Sequence, residues 1–157
     1  MAARHNKTIP AITLWQPWAS LISRGFKRIE TRTHARFRSL VGQRIAIHAG
    51  CQVDWEAWLI LEWNAPDEVG DLLREKRVMS SYRRKPYSLL PSAAIVATAW
   101  VVEHRKLGRR DAEAALVQDP AGLYGLVLED VQPIDPPIKR RGRQGIWRWR
   151  MLEEART

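Results

Sequence analysis

Segments that alternate apolar and polar residues, the pattern of a strand with one buried face, stand at both ends of this chain, and the helix-like segments lie between them. Near the start, Ile12, Leu14 and Trp15 make a short strand-like entry; near the end, residues 146–150 put Trp147 and Trp149 on one face. Residues 27–31 set Ile29 and Thr31 opposite Arg28, Glu30 and Arg32, and residues 44–49 set Ile45, Ile47 and Ala49 opposite His48. Residues 93–103, rich in Val, Ile, Thr and Trp, and residues 122–131 read as further strands. Helical spacing appears at Trp18, Leu21 and Ile22, with Pro17 in the first turn and Gly25 as the stop. Asp54 is placed to cap a second helix over 55–63, a third covers 67–76, and a short one fits 111–117. Residues 80–92, with Pro86 and Pro91, read as a loop, and Asp135, Pro136 and Pro137 break the chain before a basic loop. Strands at both ends with helices inserted early point to an α+β fold with a small β-barrel.

At 157 residues the chain has room for one core, so a single domain over 1–157 is expected, with 1–8 as a flexible N-terminus. Its longest apolar runs, 93–102 and 123–128, are half or less of the ~20 residues of a spanning helix, so no membrane partner is expected. No apolar stretch follows Arg4, His5 and Lys7 as a secretory signal would require, and the one cysteine, Cys51, permits no internal disulfide. A cytoplasmic protein is the expectation.

Charge says more about partners. Lys and Arg number 26 against 17 Asp and Glu, a formal +9, and twenty of the 26 are Arg. Residues 24–44 hold seven basic side chains against Glu30 alone; 136–150 hold Lys139, Arg140, Arg141, Arg143, Arg148 and Arg150 with no acid. Acids gather instead at Asp54, Glu56, Glu62, Asp67, Glu68 and Asp71. A surface polarised this way favours an anionic partner, and the planar guanidinium fork matches phosphate. An Arg-rich but ordinary solvated surface is the plainer account of the same numbers.

Several residues could carry chemistry. Lys27 follows a helix end, where an ammonium meets orphan carbonyls, and Glu30 and Arg32 share a strand face, so the three could form an ion network that fixes the turn. The same three could floor a cleft, with Glu30 accepting from a base amino group and Lys27 and Arg32 binding phosphate or a carbonyl oxygen. Trp15 and Trp18 flank Gln16 and Pro17, and either indole offers a flat wall to a base. Trp147 and Trp149, alternating with Arg148 and Arg150, suit single-stranded nucleic acid or, somewhat better, barrel packing. Trp55, Trp58 and Trp63 read as helix-packing residues. Arg140, Arg141 and Arg143 read as a mobile basic loop beside Trp147. The four histidines are too scattered, with one cysteine, to make a metal site, and neither a Gly-rich phosphate loop nor a serine-hydrolase elbow is present. A Cys51 nucleophile with His48 as base is conceivable, but a lone cysteine is usually inert.

The segments 13–32, 45–50, 123–134 and 144–149 together resemble the ASCH family, the activating-signal-cointegrator homology domains related to PUA-like RNA-binding barrels. The family's GxKxxExR signature stands here as Gly25, Lys27, Glu30 and Arg32. The resemblance implies a PUA-like β-barrel with inserted helices, a cleft beside the signature, and RNA, single-stranded nucleic acid or a modified nucleotide or nucleoside as ligand, with no cofactor. With the aromatic and basic residues read above, the candidate site residues are Trp15, Gln16, Trp18, Gly25, Lys27, Glu30, Arg32, His48, Arg140, Arg141, Arg143 and Trp147. Some small members are amidohydrolases acting on N4-acetylcytidine and others are proposed ribonucleases, with the signature lysine as base; in that reading Lys27 and Glu30 are catalytic. The amidohydrolases carry Thr where this chain has Glu30, and Glu30 is expected to hold Lys27 charged, which counts against a base. Glu103 and Glu113 are the candidates for the distant acid of that type.

Overall fold

The computed structural model describes residues 7–151. It is α+β. Six strands form one curled sheet, a half-barrel in the order β2-β7-β6-β3-β1-β8, comprising β1 (Lys7–Gln16), β2 (Ile29–Arg32), β3 (Arg44–Val53), β6 (Ala94–Lys106), β7 (Tyr124–Lys139) and β8 (Trp147–Met151). A separate two-stranded hairpin joins β4 (Arg77–Met79) and β5 (Pro86–Ser88). Only β1 and β3 run parallel within the large sheet; its other pairs are antiparallel. Between strands lie α1 (Trp18–Ser23), α2 (Trp55–Asn64), α3 (Asp67–Lys76) and α4 (Ala112–Ala115). None of these helices is long and apolar enough to cross a membrane.

The central strands are buried on both faces. Ile12 and Leu14 of β1, Ile45 and Ile47 of β3 and Leu126 and Leu128 of β7 pack inward with Ala19 and Ile22 of α1. The opposite face of β1 carries Ile9 and Ala11 against Ala46, Ile95, Trp147 and Trp149. The two indoles are therefore core residues, and each covers ~150–250 Å² as β8 closes over β1. A third cluster holds α2 and α3 to α1 through Leu21, Trp58, Leu61, Val69 and Leu73. Asp54 caps α2 as its position predicts, accepting from the Ala57 N–H at 3.0 Å.

Several expectations are corrected by tertiary context. Lys7 and Thr8 are not a loose end but pair with Met151 and Arg150 of β8; residues 1–6 lie outside the described residues. The expected loop over 80–92 contains β5, ordered by β4. Pro136 and Pro137 do not end β7: a register shift between Ile95 and Ala97 of β6 absorbs the missing N–H groups, and pairing resumes at Ile138. Trp63 is 84% exposed rather than packed, whereas Trp58 is fully buried and gives its indole N–H to Glu62 Oε1 at 2.9 Å.

Candidate functional site

The chain leaves α1 through Gly25, whose φ of +81° is a left-handed conformation that favours glycine. The Phe26 and Lys27 N–H groups both return to the Leu21 carbonyl, at 2.9 and 3.0 Å, so the strand begins at Ile29 and not at Lys27. Gly25 thus shapes the turn that delivers the rest of the signature.

Lys27 does not reach a cleft. It is 1% exposed, its Nζ lies 4.6 Å from the Trp18 ring centroid, and it donates to the Ala115 carbonyl. The orphan carbonyl it meets belongs to the end of α4, brought in from far along the chain, and not to α1. Burial pushes its pKa down to about 8, with Glu30 pulling the other way. Desolvation outweighs the pull of the carboxylate, yet with a pKa of about 8 Lys27 is still mostly protonated at pH 7, as expected of a lysine beside Glu30. Glu30, also buried, has its own pKa raised by desolvation, and Arg32 Nε lies 3.7 Å from Glu30 Oε1. Lys27 and Glu30 are thus interior groups, and only Arg32 of the trio comes to an open surface.

That surface is a cleft of about 610 Å³. It is lined by Trp15, Arg32, Arg36, Arg141, Arg143 and Gln144, with Thr13, His48 and Gly142 among the other lining residues. Among the described residues that line it there is no carboxylate, and four are arginines. Trp15, 52% exposed, presents an indole that the core does not claim. The bulged end of the β1–β3 pair, where the register shifts between Leu14 and Gln16, contributes Gly50, Cys51 and Gln52.

The basic loop is pinned at its start. The Arg140 N–H donates to the Ala93 carbonyl at 2.9 Å, and His48 Nε2 donates to the Arg140 carbonyl at 2.7 Å. His48 is 1% exposed, stacks edge-on against Trp147 at 5.5 Å and has its pKa lowered by burial, so it stays neutral. Trp147 supports the floor by donating to Thr13 Oγ1 at 3.1 Å.

Of the expected site residues, the structure gathers Trp15, Arg32, His48, Arg141 and Arg143 at this cleft. Arg140 acts through its backbone, and Trp147 lies beneath the floor. Gln16 is spent structurally: its amide bonds Ser20 Oγ and the Pro91 carbonyl, both at 2.8 Å, and its oxygen takes the Ser20 N–H. Trp18 lines a different cavity of about 550 Å³ between α2 and α4, walled by Ile60, Leu61 and Leu116 and edged by Glu113 and Asp119. Glu113 therefore lies away from the basic cleft, and Glu103 pairs with Arg105 at 3.3 Å. Sequence reasoning missed Thr13, His34, Arg36 and Gln144 as lining residues. His34 and Arg36 sit inside the basic run of 24–44, which was the signal available for them. No group of three or more His, Cys, Asp or Glu among the described residues is arranged to hold a metal ion.

No family model matches this chain, and no curated protein matches it. Solved structures similar to it include those of an ASCH protein. The ASCH protein from Zymomonas mobilis shares 17% identity at a TM-score of 0.48, over 83% of this chain and 72% of the other. A serine-to-alanine variant of the same protein gives the same values. A tyrosine-to-phenylalanine variant matches with the same identity and TM-score over 74% of its length.

Proposed function

We propose that the cleft binds single-stranded nucleic acid, RNA being the ligand the sequence resemblance implies. The observation that supports this best is the convergence of Arg32, Arg36, Arg141 and Arg143 around one exposed indole, with no carboxylate among the described lining residues. Guanidinium groups take the phosphates, and Trp15 offers a face for one base, an interaction worth ~1–3 kcal/mol. Titration of a labelled RNA oligonucleotide at low salt tests the reading. Saturable binding that weakens in Arg141→Ser/Arg143→Ser supports it, and no binding by the folded protein overturns it.

One observation favours a hydrolytic reading beside it: a lysine with a pKa of about 8 is close to what a general base needs. Its ammonium faces the Ala115 carbonyl instead of the cleft, which weighs against that use. Turnover of N4-acetylcytidine by the wild type, lost in Lys27→Ala with fold intact, would establish the amidohydrolase.

A further inference from the structure

The sheet carries a second aromatic and basic surface, and it begins at a cleft residue. In the strand ladder Arg32 of β2 pairs with Tyr124 of β7, and Tyr124 pairs with Lys106 of β6. Directly opposed residues in neighbouring strands project to the same face, so these three form one row spanning two strand spacings, ~10 Å. Lys106 Nζ lies 5.8 Å from the Tyr124 ring centroid. His104, two residues earlier on the same face of β6, stacks on the Tyr124 ring at 5.6 Å with the planes 16° apart. Burial lowers the His104 pKa, and the charges of Arg38 and His34 add to that; His34 also lines the cleft. Glu30, the acid beside Arg32, is buried, and Glu103 pairs with Arg105.

We propose that the Tyr124–His104 pair is a second base platform that takes the nucleotide adjacent to the one in the cleft, with Arg32 between the two positions and Lys106 and Arg38 toward the phosphates. The ligand is then a strand of at least two nucleotides rather than a free nucleoside. This rests on the nucleic-acid reading of the cleft and adds a length requirement to it. Half-exposed aromatic rings flanked by cations are the usual equipment for sequence-tolerant single-strand binding.

Uridine 5′-monophosphate and the 5′-phosphorylated dinucleotide pUpU separate the two claims. The wild type should bind pUpU about tenfold more tightly than the monophosphate, the scale of one added stack. Tyr124→Ser should erase that gain while leaving monophosphate affinity within about twofold, and Tyr124→Phe should keep it. Lys106→Ser, a change at an exposed side chain, should lower pUpU affinity several-fold without touching the thermal midpoint. Equal affinity of the wild type for both ligands, or a gain that survives in folded Tyr124→Ser, overturns the second platform while leaving the cleft reading intact. Failure of both ligands to bind overturns the two together.

Discussion

His48 gives its Nε2 proton to the Arg140 carbonyl across 2.7 Å, and so the basic loop is tied to the barrel by a residue of its floor. The loop that the sequence presents as mobile is anchored where it leaves β7. Because burial holds the His48 pKa below its ordinary 6.5, the folded state takes up fewer protons than the unfolded chain in acid. Stability is expected to be full above pH ~6.5 and to fall as the pH drops through the folded-state value. His48→Phe should flatten that acid limb in urea titrations at pH 5–7 and cost about 1 kcal/mol at neutrality through the lost hydrogen bond. An unchanged acid limb would refute this role for His48.

Lys27 and Glu30 predict opposite slopes. With Lys27 lowered to about 8, the unfolded chain binds more protons between there and 10.5, so stability rises with pH across that window. The gain across the whole window is on the order of 3 kcal/mol. Glu30, raised by burial, contributes stability that is lost as pH climbs from its ordinary value through its folded one. Denaturant midpoints measured from pH 8 to 10 should climb in the wild type and climb less in Lys27→Met. Parallel profiles would show that Lys27 is not desolvated.

What the sequence disclosed and what it hid divide on physical lines. Local rules found α1 with its Gly25 stop, the Asp54 cap and the alternation that buries Trp147 and Trp149, because each depends on neighbours within a few residues. Lys27 read as a cleft cation or as part of an ion network at its own helix end, because local rules see only α1; the carbonyl that accepts its hydrogen bond comes from Ala115, 88 residues away. Gln16 read as a ligand residue because its partner Pro91 arrives from 75 residues on. The cleft itself joins Thr13 to Gly142 and Arg36 to Arg143, and only the sheet order brings those segments together.

Four arginines at one cleft set the salt response. If each neutralises one phosphate, a plot of log affinity against log salt should have a slope of about −3, by the ~0.7 per contact of single strands. Arg141→Ser/Arg143→Ser should reduce the slope to about −1.5 and weaken different sequences by a similar factor, since phosphate contacts carry no base information. The thermal midpoint should stay nearly unchanged, because both side chains are exposed. A salt slope that the double variant leaves unaltered would remove these two residues from the interface.

Gly142 sits where the loop meets the barrel. A Cβ there would lie 2.4 Å from His48 Cε1, 2.5 Å from its Nδ1 and 2.7 Å from Thr13 Oγ1. Neither neighbour is free to yield: the imidazole is held by the Arg140 carbonyl and Trp147, and the Thr13 hydroxyl takes the Trp147 indole proton. The loop must therefore shift, and Arg141 and Arg143 with it, away from its seat on His48 and Thr13 at the cleft. Gly142→Ala is expected to destabilise the fold by about 1–3 kcal/mol, the cost of overpacking, and to weaken RNA binding by more than either single Arg→Ser change. Gly108→Ala is the control, since nothing lies within 4 Å of a Cβ at that position, and it should be neutral to within ~0.5 kcal/mol. Calorimetry and anisotropy titration on the two variants check the pair of claims. Wild-type RNA affinity in Gly142→Ala would mean that the seating of the loop on His48 does not shape the cleft.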